Sequence, residues 1–247
     1  MNNLKLIKLS AASLAALLMT ACATPPYVPT VYDASASKVQ TIALADDSVP
    51  DQMGANELAS ASGTGQAAGG LLGYLVVSAI EGAETSSRKG ALEELMAPLG
   101  FDAEAEFEAM LKKKLIEAGY GGLEMVEVKR NGKSALKAVP ETSADAVLNI
   151  DMVKFGVQKA KTGEQWRPAA GVKIELVETA TSEILMENMI SYNSGILGVK
   201  ETEGFITMAP SLSSTGYKKI KEMDPVVVRD EMRVMLEEVS DMIITLL

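Results

Sequence analysis

The chain contains no histidine and a single cysteine, Cys22, in 247 residues. Without imidazole there is no Ser-His-Asp triad, no Cys-His dyad and no histidine-bearing zinc site. With one thiol there is no internal disulfide, no CxxC redox pair and no cysteine-held cluster. Aromatic residues are also scarce, at 4%, while methionine occurs 14 times. The core these residues predict is aliphatic and adaptable. Positive charge is in deficit: 23 Lys and Arg against 33 Asp and Glu give a formal net charge of −10. That balance argues against binding a nucleic-acid backbone and against electrostatic adhesion to anionic lipid.

What the sequence does have begins at its N-terminus. Lys5 and Lys8 precede a short apolar run, Leu9 to Met19. The run is too short to span a bilayer, which takes ~20 apolar residues. It reads as a secretory signal peptide over residues 1–21, set aside from fold reasoning. It ends Leu18-Met19-Thr20-Ala21-Cys22. This resembles the bacterial lipoprotein lipobox, with Met19 where Leu is commoner. The resemblance implies that Cys22 becomes an acylated N-terminus. Ala23, standing where Asp marks inner-membrane retention, implies the outer membrane and its periplasmic face.

Residues 22–37 are expected to form a disordered tether. Pro25, Pro26 and Pro29 favour extended polyproline II and forbid a helix. Tyr27 and Tyr32 either dock on the following domain or serve as spacer, with spacer the favoured reading.

One domain is expected over 38–247. Lys38 to Ala45 predicts a strand and Asp46 to Ser62 an irregular polar stretch. Gly65, Gly69 and Gly73 recur at every fourth position and would form one smooth helix face. The 14 residues Ala67 to Ile80 carry no charge. A Gly-rich apolar helix at about 65–95 either packs tightly on its own sheet or joins a membrane or another copy.

Phe101 to Gly119 predicts an amphipathic helix capped by Asp102, with Phe107, Met110, Leu111, Leu115 and Ala118 as its apolar stripe. Lys112, Lys113 and Lys114 read as a solvated face. Strands are expected over Leu123 to Lys129, Ala144 to Gln158, Ala170 to Leu176 and Ser182 to Tyr192, with a hairpin signal at Asn131-Gly132. Within the second of these, alternation slips phase between Met152 and Val153, which predicts a bulge. Asn193 to Ser214 reads as a long loop. Asp224 and Pro225 open a final helix whose stripe runs Val228, Met232, Met235, Val239, Met242, Ile243 and Leu246. The fold expected is α+β: a mostly antiparallel sheet of four to five strands against two or three helices.

The catalytic patterns in the chain are weak. Ser86 and Lys89 match S-x-x-K, Lys161-Thr162-Gly163 spells K-T-G, and Ser191-Tyr192-Asn193 resembles S-x-N. Their order is wrong for a penicillin-binding serine enzyme. A second S-x-x-K at Ser134 and Lys137 shows how cheap the pattern is. Gly132-Lys133-Ser134 lacks the first glycine of a phosphate loop, since Glu127 stands there. The pairs Glu93/Glu94 and Glu237/Glu238 fall on helix surfaces, and Trp166 reads as capping a core edge. No catalytic residue, metal site or cofactor is assigned.

The order of elements resembles proteobacterial outer-membrane lipoproteins with a TolB-N-terminal-like α/β domain, the YajG, LpoB and CsgG kind. The stretches that carry it are KVQTIALA, FDAEAEFEAMLKKKLIEAGY, ADAVLNIDMVKFG and GVKIELVETATSEILMENMISY. The Gly-rich stretch departs from that pattern. The resemblance implies an envelope interaction or assembly protein, not an enzyme, with another envelope protein or itself as partner and no nucleic acid or small-molecule substrate. The alternative is a self-assembling or membrane-inserting oligomer that uses residues 63–80.

Overall fold

The computed structural model describes residues 28–35, 38–57, 90–132, 134–159, 165–193, 204–210 and 217–247. The strands are β1 (Thr41–Ala45), β2 (Gly54–Glu57), β3 (Gly121–Val126), β4 (Ala146–Lys159), β5 (Arg167–Glu178), β6 (Ile184–Tyr192) and β7 (Ile206–Met208). The helices are α1 over 90–96, α2 (Ala103–Glu117) and α3 (Pro225–Leu246). Short 3₁₀ turns at Ala97–Leu99 and Ile220–Glu222 precede α2 and α3.

The α+β class is as expected, but the sheet is larger and mixed. Its order is β3-β1-β4-β5-β6-β7, and β2 also pairs with β4. Only β4–β5 and β5–β6 are antiparallel, while β1–β3, β1–β4, β2–β4 and β6–β7 are parallel. The 14-residue β4 organises it. Along one edge β1 pairs with its first half and β2 with its second, and β5 runs along the other edge.

The bulge lies where the alternation slips. Pairing of β4 with β5 shifts register between Asp151 and Lys154. Ala146, Leu148, Ile150 and Met152 enter the main core before the shift, and Phe155 and Val157 enter it afterwards. One inserted residue keeps the apolar side chains on one face of a strand too long to hold a single phase. At Gly156 (φ +143°) a Cβ would lie 2.1 Å from the carbonyl oxygen of Gly54. Glycine there is what admits β2 beside β4.

The helices form one layer on the sheet. In α2, Asp102 caps by accepting from Ala105 N–H, and Phe107, Leu111 and Leu115 are buried. Met110 packs at the core margin, whereas Ala118 lies outside the stripe and is exposed. In α3, Asp224 accepts from Val226 N–H and Val227 N–H, with Pro225 in the first turn. The expected α3 stripe is buried save for Met242, which is partly so, and Leu236 and Ser240 extend it. Arg233 clamps Glu106 through two 2.6 Å hydrogen bonds, and Lys114 meets Asp241. Both pairs have the same sequence offset, so α2 and α3 run parallel.

Four further expectations need correction. Asp46 to Ser62 is not irregular throughout, because Gly54–Glu57 forms β2 beside β4, and Asn193 to Ser214 is not loop throughout, because Ile206–Met208 forms β7 beside β6. Asn131-Gly132 does not join two strands; it closes an isolated bridge between Arg130 and Leu136. Tyr32 is no spacer: it is 5% exposed and belongs to the main core. The domain therefore begins before residue 38.

Candidate functional site

The face of the sheet away from the helices carries the most unusual chemistry. Lys173 and Glu175 alternate with the core residues of β5, which by pattern should place them in water. They are buried instead, as is Asn149 on β4. The cause is the irregular segment after β3. Val128, Leu136 and Val139 pack with Ala43, Ala45, Ala144 and Val147 into a second, smaller core on this face.

Arg130 pins that segment down. Its Nε donates to Asn149 Oδ1 at 2.8 Å, and its Nη atoms donate to the carbonyl oxygens of Asp46, Asp47 and Ile150. The Asn149 amide in turn donates to Ser134 O and to Glu175 Oε2, each at 3.0 Å. Leu136 N–H also donates to Glu175 Oε2, at 3.3 Å. The other carboxylate oxygen of Glu175 meets Lys173 Nζ at 2.7 Å, and Lys173 reaches Glu187 at 3.0 Å. Burial pushes the Lys173 ammonium down, but the hydrogen bonds and charges of Glu175 and Glu187 outweigh it and leave its pKa raised. Lys173 thus keeps its charge, and the hydrogen bonds of Arg130, Asn149 and Glu175 hold the covering segment to the sheet.

Beside it lies an open groove of about 450 Å³, lined by Ala135–Val139, Glu175, Val177, Ser182 and Ile184. Ile184 is 52% exposed there, a large apolar side chain facing solvent at the start of β6. The groove mixes apolar walls (Leu136, Val139, Val177 and Ile184) with a comparable share of polar surface, including Lys137, Ser182 and a carboxylate already engaged. An extended peptide, which brings both backbone polar groups and side chains, matches that mixture.

Cys22, Gly65, Gly69, Gly73, Ser86, Lys89 and Lys161-Thr162-Gly163 lie outside the described residues, as does the whole 63–80 segment. Ser191, Tyr192 and Asn193 are described. Ser191 is buried, and Asn193 donates to Pro168 O at 2.8 Å. Tyr192 donates to Glu238 Oε2 at 2.7 Å, and burial together with that carboxylate pushes its phenol far above the ordinary value. These are structural roles. Ser134 is buried in a left-handed turn (φ +63°) with its carbonyl on Asn149. Trp166 is buried, with Lys159 Nζ 4.9 Å from its ring centroid. Of the lysine run on α2, Lys112 and Lys113 pair along their own helix with Glu108 and Glu117, as a solvated face does, whereas Lys114 is largely covered and ties α2 to Asp241 of α3. Among the described residues no three carboxylates or thiols converge as a metal site requires, and no helix is long and apolar enough to cross a membrane.

No protein-family model matches the chain, and no curated protein does. Among solved structures, protein XCC0632 from Xanthomonas campestris, of the DUF330 family model, superposes with a TM-score of 0.31 at 12% identity. The match covers 56% of this chain and 60% of that one, so the chain spans less than two thirds of that protein. At that score the likeness carries no argument about function.

Proposed function

We propose that this protein is a lipid-anchored envelope protein, acylated at Cys22 and facing the periplasm from the outer membrane, whose domain works by contact with another envelope protein. The observation that carries the reading is the placement of the chain's one cysteine at the end of a signal-like run, after Thr20-Ala21. Several acyl chains on one residue anchor stably, at ~0.8 kcal/mol per buried CH₂. The surface the domain offers a partner is the groove between Leu136, Val139, Val177 and Ile184. In-cell photo-crosslinking from position 137 tests the contact. A discrete adduct at that position, absent from a probe on the exposed Lys113 of α2, supports the reading. Equal or absent adducts at both contradict it.

A second reading rests on Gly65, Gly69 and Gly73, spaced for close helix contact. In it the chain assembles with itself or inserts residues 63–80 into a membrane. Crosslinking with size analysis separates the two, and a strict monomer removes the second.

A further inference from the structure

Beside the groove the sheet has an open edge. β7 pairs with β6 at residues 190–192, and among the described residues no strand lies beyond β6 over 184–189. Every second residue of an edge strand turns its N–H and C=O away from the sheet, where another strand can take them. Proteins commonly blunt such an edge with lysine or proline. The stretch here, ILMENM, contains neither. At the opposite end of the sheet, by contrast, left-handed backbone at Gly122 (φ +83°) and Leu123 (φ +51°) interrupts β3 and spoils it as a regular template.

The side chains of this stretch point toward the groove on one face. Ile184 stands opposite Val177, Glu187 opposite Glu175 and Met189 opposite Lys173, a register shift at Leu185 keeping the three in one row. That row lies on the face away from the helices, and Ile184 forms part of the groove wall. Asn188 stands opposite Ile174 of the main core, so its link to Thr30 lies on the helix side. Ile184 is half exposed, and so is the Glu187 side chain even though it meets Lys173. Glu183 at the entrance to β6 is exposed as well.

We propose that residues 184–189 receive an extended segment of another protein as an added strand, with a lysine or arginine facing Glu187 and an aliphatic side chain entering the groove past Ile184. The proposal rests on the groove contact proposed above and gives that contact its chemistry. A strand added at ~4.8 Å from β6 places its side chains about 5 Å from those of the Ile184 row. A second copy of this chain would bring the same glutamates and a further net charge of −10, so the edge favours a different, basic partner.

The probe is an amidated heptapeptide, TITKTIT, with fluorescein at its N-terminus. Its lysine matches Glu187, and its isoleucines match Ile184 and Met189 in either strand direction. It is titrated with the full-length protein at about 0.15 M salt and read by anisotropy, with saturable binding expected. Methylating the main-chain nitrogens of the lysine and isoleucines removes the donors on one edge of the peptide, and methylating those of the interior threonines removes the donors on the other. One methylated peptide is expected to bind at least about tenfold more weakly and the other within about twofold of the parent. Glutamate in place of the lysine is expected to weaken binding about fivefold. Ile184→Asp adds negative charge and cannot repel a cationic probe, so the expected loss of about fivefold or more reports the lost apolar contact. Absence of saturable binding, or equal effects of the two methylated peptides, overturns strand addition. Dimerisation of the full chain that the peptide disrupts overturns the choice of partner. Crosslinking in cells from position 137 reports the groove separately. An adduct there, with binding indifferent to methylation, leaves the groove contact standing without an added strand, whereas absence of the adduct removes the contact itself.

Discussion

Asp145 holds the entrance to β1 with one carboxylate oxygen. Its Oδ2 accepts 2.9 Å hydrogen bonds from Gln40 N–H, Thr41 N–H and the Thr41 hydroxyl, which hold its pKa below the ordinary 3.8. A depressed carboxyl stabilises the fold fully above its unfolded pKa and loses that contribution as pH falls through the folded value. Asp145→Asn is therefore expected to cost about 1 kcal/mol at pH 7, the exposure of the group limiting the effect. The stability gap between the two proteins should close below pH 4, which urea titrations across pH measure. Glu104 differs in sign. Burial raises its pKa against the opposing hydrogen bonds from Ser48 N–H and Val49 N–H. Its contribution is therefore greatest below the unfolded value and diminishes as pH rises through the folded one. Glu175 presents the harshest case. Glu175→Ala removes the carboxylate that pairs with the buried Lys173 and leaves one N–H of the Asn149 amide and the Leu136 N–H without their acceptor, an expected loss of about 3 kcal/mol by chemical denaturation. None of this polar network was legible in the sequence. Lys173 and Glu175 alternate with apolar neighbours as solvent-facing residues do. The one signal was the apolar content of the segment above them, Val128, Leu136 and Val139, which had to cover something.

Elements whose determinants are local were readable to within two or three residues. Asp102 and Gly119 bracket α2, and Asp224 with Pro225 opens α3, because capping and φ preference act within one turn. Asp224→Ala is expected to cost about 1 kcal/mol, read as a lower thermal midpoint, since two N–H groups lose their acceptor. The β4 bulge was readable because one long strand records its own change of phase. The short strands β2 and β7 were not, since 4 and 3 residues carry no periodicity and exist only by pairing with distant partners. The one mark of β2 was on its partner. Gly156→Ala would push a Cβ into Gly54, and an expected loss of about 3 kcal/mol with faster hydrogen exchange at residues 54–57 checks it.

At the scale of the molecule, strand order decides what remains outside the core. Placing β1 between β3 and β4 makes it an interior strand with parallel neighbours on both sides, buried on both faces, as Ile42, Ala43, Leu44 and Ala45 show. The sheet consequently needs two covers. Helices supply one, and an irregular segment pinned by Arg130 supplies the other and leaves the groove beside it. Parallel order was hidden in the sequence because it depends on which strands meet, not on the pattern within any of them. The central claim, that the domain works while held at a membrane through Cys22, is most directly tested by metabolic labelling with a radiolabelled fatty acid in cells making either the natural chain or Cys22→Ala. The account predicts label on the natural chain, recovered in the outer-membrane fraction, and an unlabelled variant released from it. An unlabelled natural chain, or a variant that stays in the membrane fraction as firmly as the natural one, would contradict it.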